Sequence, residues 1–165
     1  MDYYILAINP GSTSTKIGVF KNEELIFEET IEHKEEELKK NQALKDQFEM
    51  RLEHIYRVLK EKEFDLNKLN IVVGRGGQLP PVEAGAYLVN EDMKKRIING
   101  PIISHASNLG ALLAAAIAKP LEIDAIIYDA VSSDELRPIA KITGIPSIRR
   151  QSFCHVLNTK AMGRK

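Results

Sequence analysis

Tyr3-Tyr4-Ile5-Leu6-Ala7-Ile8, then Asn9-Pro10-Gly11-Ser12-Thr13-Ser14-Thr15-Lys16, then Ile17-Gly18-Val19 is the stretch that decides the fold. The first run is almost continuously apolar, the pattern of a strand covered on both faces. It halts where nearly every residue forms turns or carries a short hydrogen-bonding side chain. Ile17 and Val19 then alternate with Lys16 and Gly18, which predicts a second strand. Lys21-Asn22-Glu23-Glu24 makes a polar turn, and Leu25-Ile26-Phe27 resumes as a third strand. Connections this short join antiparallel neighbours, so the chain opens on a meander.

Beyond it the period changes. Leu44, Phe48, Leu52, Ile55 and Leu59 recur at helical spacing among charges, predicting one long amphipathic helix over about 34–62. Ile71-Val72-Val73 is a buried strand ending at Gly74-Arg75-Gly76-Gly77. A loop with Pro80, Pro81 and Gly85 leads to Tyr87-Leu88-Val89 and a short helix after Asn90. Gly100-Pro101 marks a break, and an Ala- and Leu-rich helix runs from Ser107 to Lys119-Pro120, where Gly110 and the alanines allow close packing. Ala125-Ile126-Ile127-Tyr128 is a further buried strand closing on Asp129. Asp134 to Thr143 reads as a helix stopped by Gly144 and Pro146, and another helix starts near Ser152. Buried strands separated by helices imply right-handed crossovers and parallel neighbours. The expected fold is α/β: a mixed sheet with a three-stranded antiparallel meander, then parallel strands, with helices on both faces, in the ribonuclease-H-like pattern.

Composition narrows the function. At 165 residues the chain is expected to be one domain. Its 23 basic residues balance 23 acidic ones, so it has no global field for a polyanion; nucleic acid and membrane are excluded as first partners. The single cysteine, Cys154, rules out a disulfide framework or a thiolate metal cluster. The longest apolar run, Leu109–Ala118, falls far below the roughly 20 residues of a membrane span. A cytoplasmic chain is expected.

Four places carry candidate chemistry. In the Asn9–Lys16 segment, four hydroxyl residues beside an Asn, a Gly and a Lys exceed what a hairpin turn needs; backbone N–H groups and hydroxyls there suit phosphate. It is not a Walker loop, because the GxxxxGK spacing is absent and a strand follows. Arg75 among three glycines is either a solvated side chain on a wide turn or a planar fork for a carboxylate or phosphoryl group beyond the strand ends. Asp129 is either a cap for the next helix or a magnesium ligand. His105 and His155 precede helices, as entry hydrogen-bond partners or as groups facing a transferring phosphoryl. His33 and His54 lie among charges and read as solvated. Cys154 reads as inert packing.

Taken in order, these motifs resemble a known family. Asn9–Lys16, Gly74-Arg75-Gly76-Gly77, Ser104-His105-Ala106-Ser107-Asn108-Leu109-Gly110, Tyr128-Asp129 and His155-Val156-Leu157-Asn158 resemble the acetate and butyrate kinases. Pro10 and the form of the second motif favour the butyrate branch. The resemblance implies an actin-like ATPase fold of two lobes, with ATP and a short-chain carboxylate between them giving ADP and an acyl phosphate. Carried over by motif, Asn9, Gly11, Ser12, Ser14, Lys16, Gly76 and Gly77 would line the phosphate and substrate site. Arg75, Asp129, His105 and His155 would act in catalysis, with Asp129 on Mg2+. Residues 1–165 would be the N-terminal lobe, expected to be inactive alone without the ATP-binding C-terminal lobe. An apolar face left open would favour self-association. Acetate, propionate and branched acids are alternative substrates, and a non-catalytic interaction module is the alternative of another class.

Overall fold

Hydrogen bonding of the opening segment bears out the meander. The computed structural model describes residues 2–41, 44–99 and 105–164. Strand β1 (Tyr4–Pro10) pairs antiparallel with β2 (Ser14–Lys21), which pairs antiparallel with β3 (Glu24–Glu32). On its other edge β1 runs parallel to β4 (Leu69–Arg75), and β4 parallel to β6 (Asp124–Tyr128). Short β5 (Ala86–Leu88) closes the sheet antiparallel to β6, giving the order β3-β2-β1-β4-β6-β5.

Strand period 2 assigns each residue to a face. Leu6, Ile8, Ile17, Val19 and Val72 point to one side, where helices α2 (Leu44–Glu61) and α4 (Leu109–Ala118) cover them. Ile97, from α3 (Glu91–Asn99), extends that layer against Ala111 and Ile127. The opposite face carries α5 (Val156–Met162), beside Ala7 and Val73.

Two helical expectations change. The long helix is two, α1 (Glu35–Lys40) and α2, because Asn41 ends the first. Both its backbone N–H (3.1 Å) and its side-chain amide (2.9 Å) donate to the Glu37 carbonyl; such self-capping is why Asn favours helix ends. The expected helix over Asp134–Thr143 is only a 3-10 turn, Pro138–Lys141. Pro138 forces Arg137 into extended backbone (ψ 149°), and the Asp134 carboxylate is taken by the Leu136 N–H and Lys141 Nζ. The Gly100–Pro101 break and Ser104 lie outside the described residues.

One close approach sets the geometry of the site. The first turn of α4 presses on β4 so tightly that a Cβ on Gly110 would lie 2.3 Å from the Arg75 carbonyl oxygen, and one on Gly74 2.2 Å from the Gly110 carbonyl oxygen. Only glycine fits at either position. Gly110→Ala is therefore expected to cost about 2–3 kcal/mol, read as a lower urea midpoint. It would also displace Arg75.

Candidate active site

The strand ends converge on one cleft. It measures about 390 Å³ and lies on the α5 face, lined by Asn9, Lys16, Arg75 and Asp129 over apolar Ala7, Phe20, Val73 and Leu157. Parallel strands β1 and β4 deliver Asn9 and Arg75 at their carboxyl ends, where open α/β sheets place ligands. The Arg75 Nη1 donates to Asn9 Oδ1 at 3.5 Å, the edge of hydrogen-bond range. Among the described residues no carboxylate lies within ion-pair distance of Arg75, so its fork is left for an anion. Lys16 is different: Glu28 pairs with it at 3.0 Å.

Asp129 is held by backbone. It sits at φ 57°, a left-handed conformation that Asp tolerates better than most residues, and is only 6% exposed. Its two carboxylate oxygens accept the Leu157 N–H (2.8 Å) and the Asn158 N–H (3.3 Å), capping α5 from across the chain. His155 completes the cluster. Its Nδ1 lies 2.8 Å from the Asp129 main-chain oxygen, which only an N–H can satisfy, so Nδ1 carries a proton. Arg75 Nε, 3.4 Å from that same Nδ1, is then a neighbour and not its donor.

His105 belongs to a second group at the tip of the turn. Its Nδ1 accepts from the Ser107 N–H, which leaves the proton on Nε2, 3.4 Å from Ser12 Oγ. Gly11 N–H closes the turn on the Ser14 oxygen at 2.7 Å. Ser12 is exposed at that tip and Ser14 partly so. Gly76 and Gly77 do not face the cleft. A Cβ on Gly76 would meet Ala130 at 2.6 Å, and one on Gly77 would meet Asn108 Oδ1 at 2.3 Å, so close packing leaves no room for a side chain at either position. Cys154 is exposed instead of packed.

Beneath the turn lies a layer that motif reading missed. Arg51 of α2 is fully buried, and its guanidinium donates to Thr15 Oγ1 (2.7 Å), the Ser14 carbonyl (2.9 Å) and the Ser12 carbonyl (3.3 Å). Burial lowers its pKa to about 10, still charged at neutral pH. Thr15 Oγ1 also meets His33 Nε2 at 2.9 Å, and the His33 ring stacks on His54 at 5.4 Å. His54 Nε2 in turn meets Glu37 Oε1 at 3.1 Å. The expectation that His33 and His54 are solvated is therefore wrong: His33 is 6% exposed, and the His54 side chain 15%.

Burial first, then the charge of Arg51 and the neighbouring His54, pull the His33 pKa from 6.5 to about 4. The unfolded chain thus takes up a proton near pH 6.5 that the folded chain refuses until about pH 4. Stability from this group is intact above pH 6.5 and drains away as pH falls to 4, by about 3 kcal/mol. Urea midpoints across that window should fall steeply in the parent and less steeply in His33→Gln.

Sheet order and the cleft beyond the strand ends define a fold class: a ribonuclease-H-like α/β domain. Known structures agree. Acetate kinase from Porphyromonas gingivalis superposes with a TM-score of 0.60 at 12% identity, over 98% of this chain and 49% of that one. A propionate kinase from Francisella tularensis gives 0.53 at 17% identity, over 88% and 41%. No family model matches the chain. In sequence the chain is similar to probable butyrate kinases of two Clostridium botulinum strains, Eklund 17B and Alaska E43, with 47% identity over all 165 residues. It spans 46% of their length, about half. No described helix is long and apolar enough to cross a membrane.

Proposed function

We propose that the chain is the N-terminal lobe of a short-chain carboxylate kinase of the butyrate type, making ADP and an acyl phosphate from ATP and the acid. The observation that carries this reading is the cleft, where an unpaired Arg75 fork and Asn9 stand over an apolar wall of Ala7, Phe20, Val73 and Leu157. A small acid with an aliphatic tail needs both parts. Homology to butyrate kinases supports the same choice, and favours butyrate over acetate or propionate.

In this reading Arg75 grips the carboxylate and aligns one oxygen with the γ-phosphorus, while the Asn9–Lys16 turn, with Gly11, Ser12 and Ser14, offers N–H and hydroxyl donors to the transferring phosphoryl. His155 Nε2 and His105 Nε2–H flank that position. ATP would be gripped largely by the half of the protein that this chain does not span. Mg2+ would sit near Asp129. Both Asp129 oxygens already accept an amide, so the fit is to a cation that keeps its own waters, as magnesium does. When bound, magnesium offsets charge on the phosphate oxygens. Ile139, Ile142, Ile145 and Ile148, all exposed, supply an apolar surface for the second half to cover.

The reading is tested by titrating 15N-labelled chain with butyrate and butyryl phosphate. Shifts centred on Asn9, Gly11, Arg75 and Asp129 are expected, larger with butyrate than with acetate. Shifts confined to other surfaces would refute it.

A further inference from the structure

The layer behind the turn holds a group of side chains with no part in the proposed reaction. His33 follows β3, Glu37 lies one helical turn further on in α1, and His54 projects from α2. Each offers one donor atom, and these three atoms lie within 4.8 Å of one another. Each ring meets protein through Nε2 only, His33 at Thr15 Oγ1 and His54 at Glu37 Oε1. His33 Nδ1 and His54 Nδ1 are buried and find no hydrogen-bond partner among the described residues. Leaving a buried nitrogen without a partner is costly, and two of them on stacked rings call for an occupant that accepts lone pairs.

We propose that His33, Glu37 and His54 form a binding site for one divalent cation of the zinc type. Two imidazoles and one carboxylate form a known three-ligand zinc set, leaving a fourth position for water. The partly exposed His54 and Glu37 give the ion an entry path from solvent. The outer partners are in place too. With Nδ1 on the metal, His33 Nε2–H donates to Thr15 Oγ1 at 2.9 Å, the orienting bond that ligating histidines ordinarily make. Arg51, which shares that Thr15 oxygen, favours the neutral, ligating form of His33.

Two features set the affinity. The rings are near parallel, 22° apart, so His54, the more exposed of the pair, must turn to bring a nitrogen onto the ion. Arg51 also places a positive charge nearby. Both lower affinity, to the micromolar range instead of that of a preformed structural site. Through Thr15 and Arg51 the ion would brace the back of the Asn9–Lys16 turn.

The test uses the untagged chain titrated with zinc chloride by calorimetry and with cobalt(II) by visible absorption. One ion per chain is expected, with tetrahedral cobalt bands and a raised melting temperature. His54→Ala and Glu37→Gln, at partly exposed positions and checked for folding by circular dichroism, should each weaken uptake about tenfold or more. Absence of saturable uptake would overturn the proposal. So would uptake of undiminished affinity in both variants, since it would put the ion elsewhere.

Discussion

Arg75→Ala, made in a protein that carries both halves, is expected to lower turnover by about 10³-fold or more. The reason is geometric. Its guanidinium lines the cleft and has no carboxylate partner among the described residues. Alanine removes the fork and the charge together, and nothing else lining the cleft replaces them, because Lys16 is already paired with Glu28. Arg75→Lys should recover only part of the loss: an ammonium restores charge but cannot grip two oxygens in one plane. Steady-state kinetics with ATP and butyrate would show the fall mainly in kcat, with a raised KM for the acid. Near-normal turnover in Arg75→Ala would remove Arg75 from the site.

The second large effect is on stability. Arg51→Met keeps the length of the side chain and removes its charge and all its donors. Three acceptors, on Ser12, Ser14 and Thr15, would lose a charge-assisted partner inside the protein. Relief from burying a charge offsets part of this, so the expected net loss is about 3 kcal/mol, measured as a fall in urea midpoint. Amides of the Asn9–Lys16 turn should exchange faster, because the carbonyls that shape it are no longer held from below. A further consequence separates this account from simple cavity formation. Arg51 is the second cause of the low His33 pKa, so its removal should raise that pKa and make the acid loss of stability smaller, ending at a higher pH. A variant within 1 kcal/mol of the parent, with an unmoved acid limb, would show that the guanidinium does not anchor the turn.

Legibility in the sequence followed the range of the interactions involved. The meander could be read because turn residues at 9–14 and 21–24 and strict alternation at 16–19 are local signals. The cleft residues Asn9, Arg75 and Asp129, and His155 beside Asp129, could be found because each closes a strand or opens a helix, where open sheets gather chemistry. The layer behind them could not be read locally. Arg51 looks like one charge among many on α2, and its burial depends on carbonyls 37 and 39 residues away. A weak signal existed: Arg51 stands three after Phe48 and four before Ile55, on the buried stripe itself. His33 likewise keeps the parity of Phe27 and Ile31, the inward face of β3. Gly76 and Gly77 have a packing reason that local reading does not show. Small residues beside an Arg suggest ligand clearance, and only the neighbouring Ala130 and Asn108 show that protein fills the space.

The most direct test of the central claim is recombination. This chain would be mixed with the separately produced remaining half of a homologous butyrate kinase, and acyl phosphate trapped with hydroxylamine in the presence of ATP, magnesium and acetate, propionate, butyrate or isobutyrate. The account predicts product only when both halves are present, most with butyrate, and none when the chain carries Arg75→Ala. A correctly folded pair that associates and still forms no acyl phosphate from any of the four acids would contradict it.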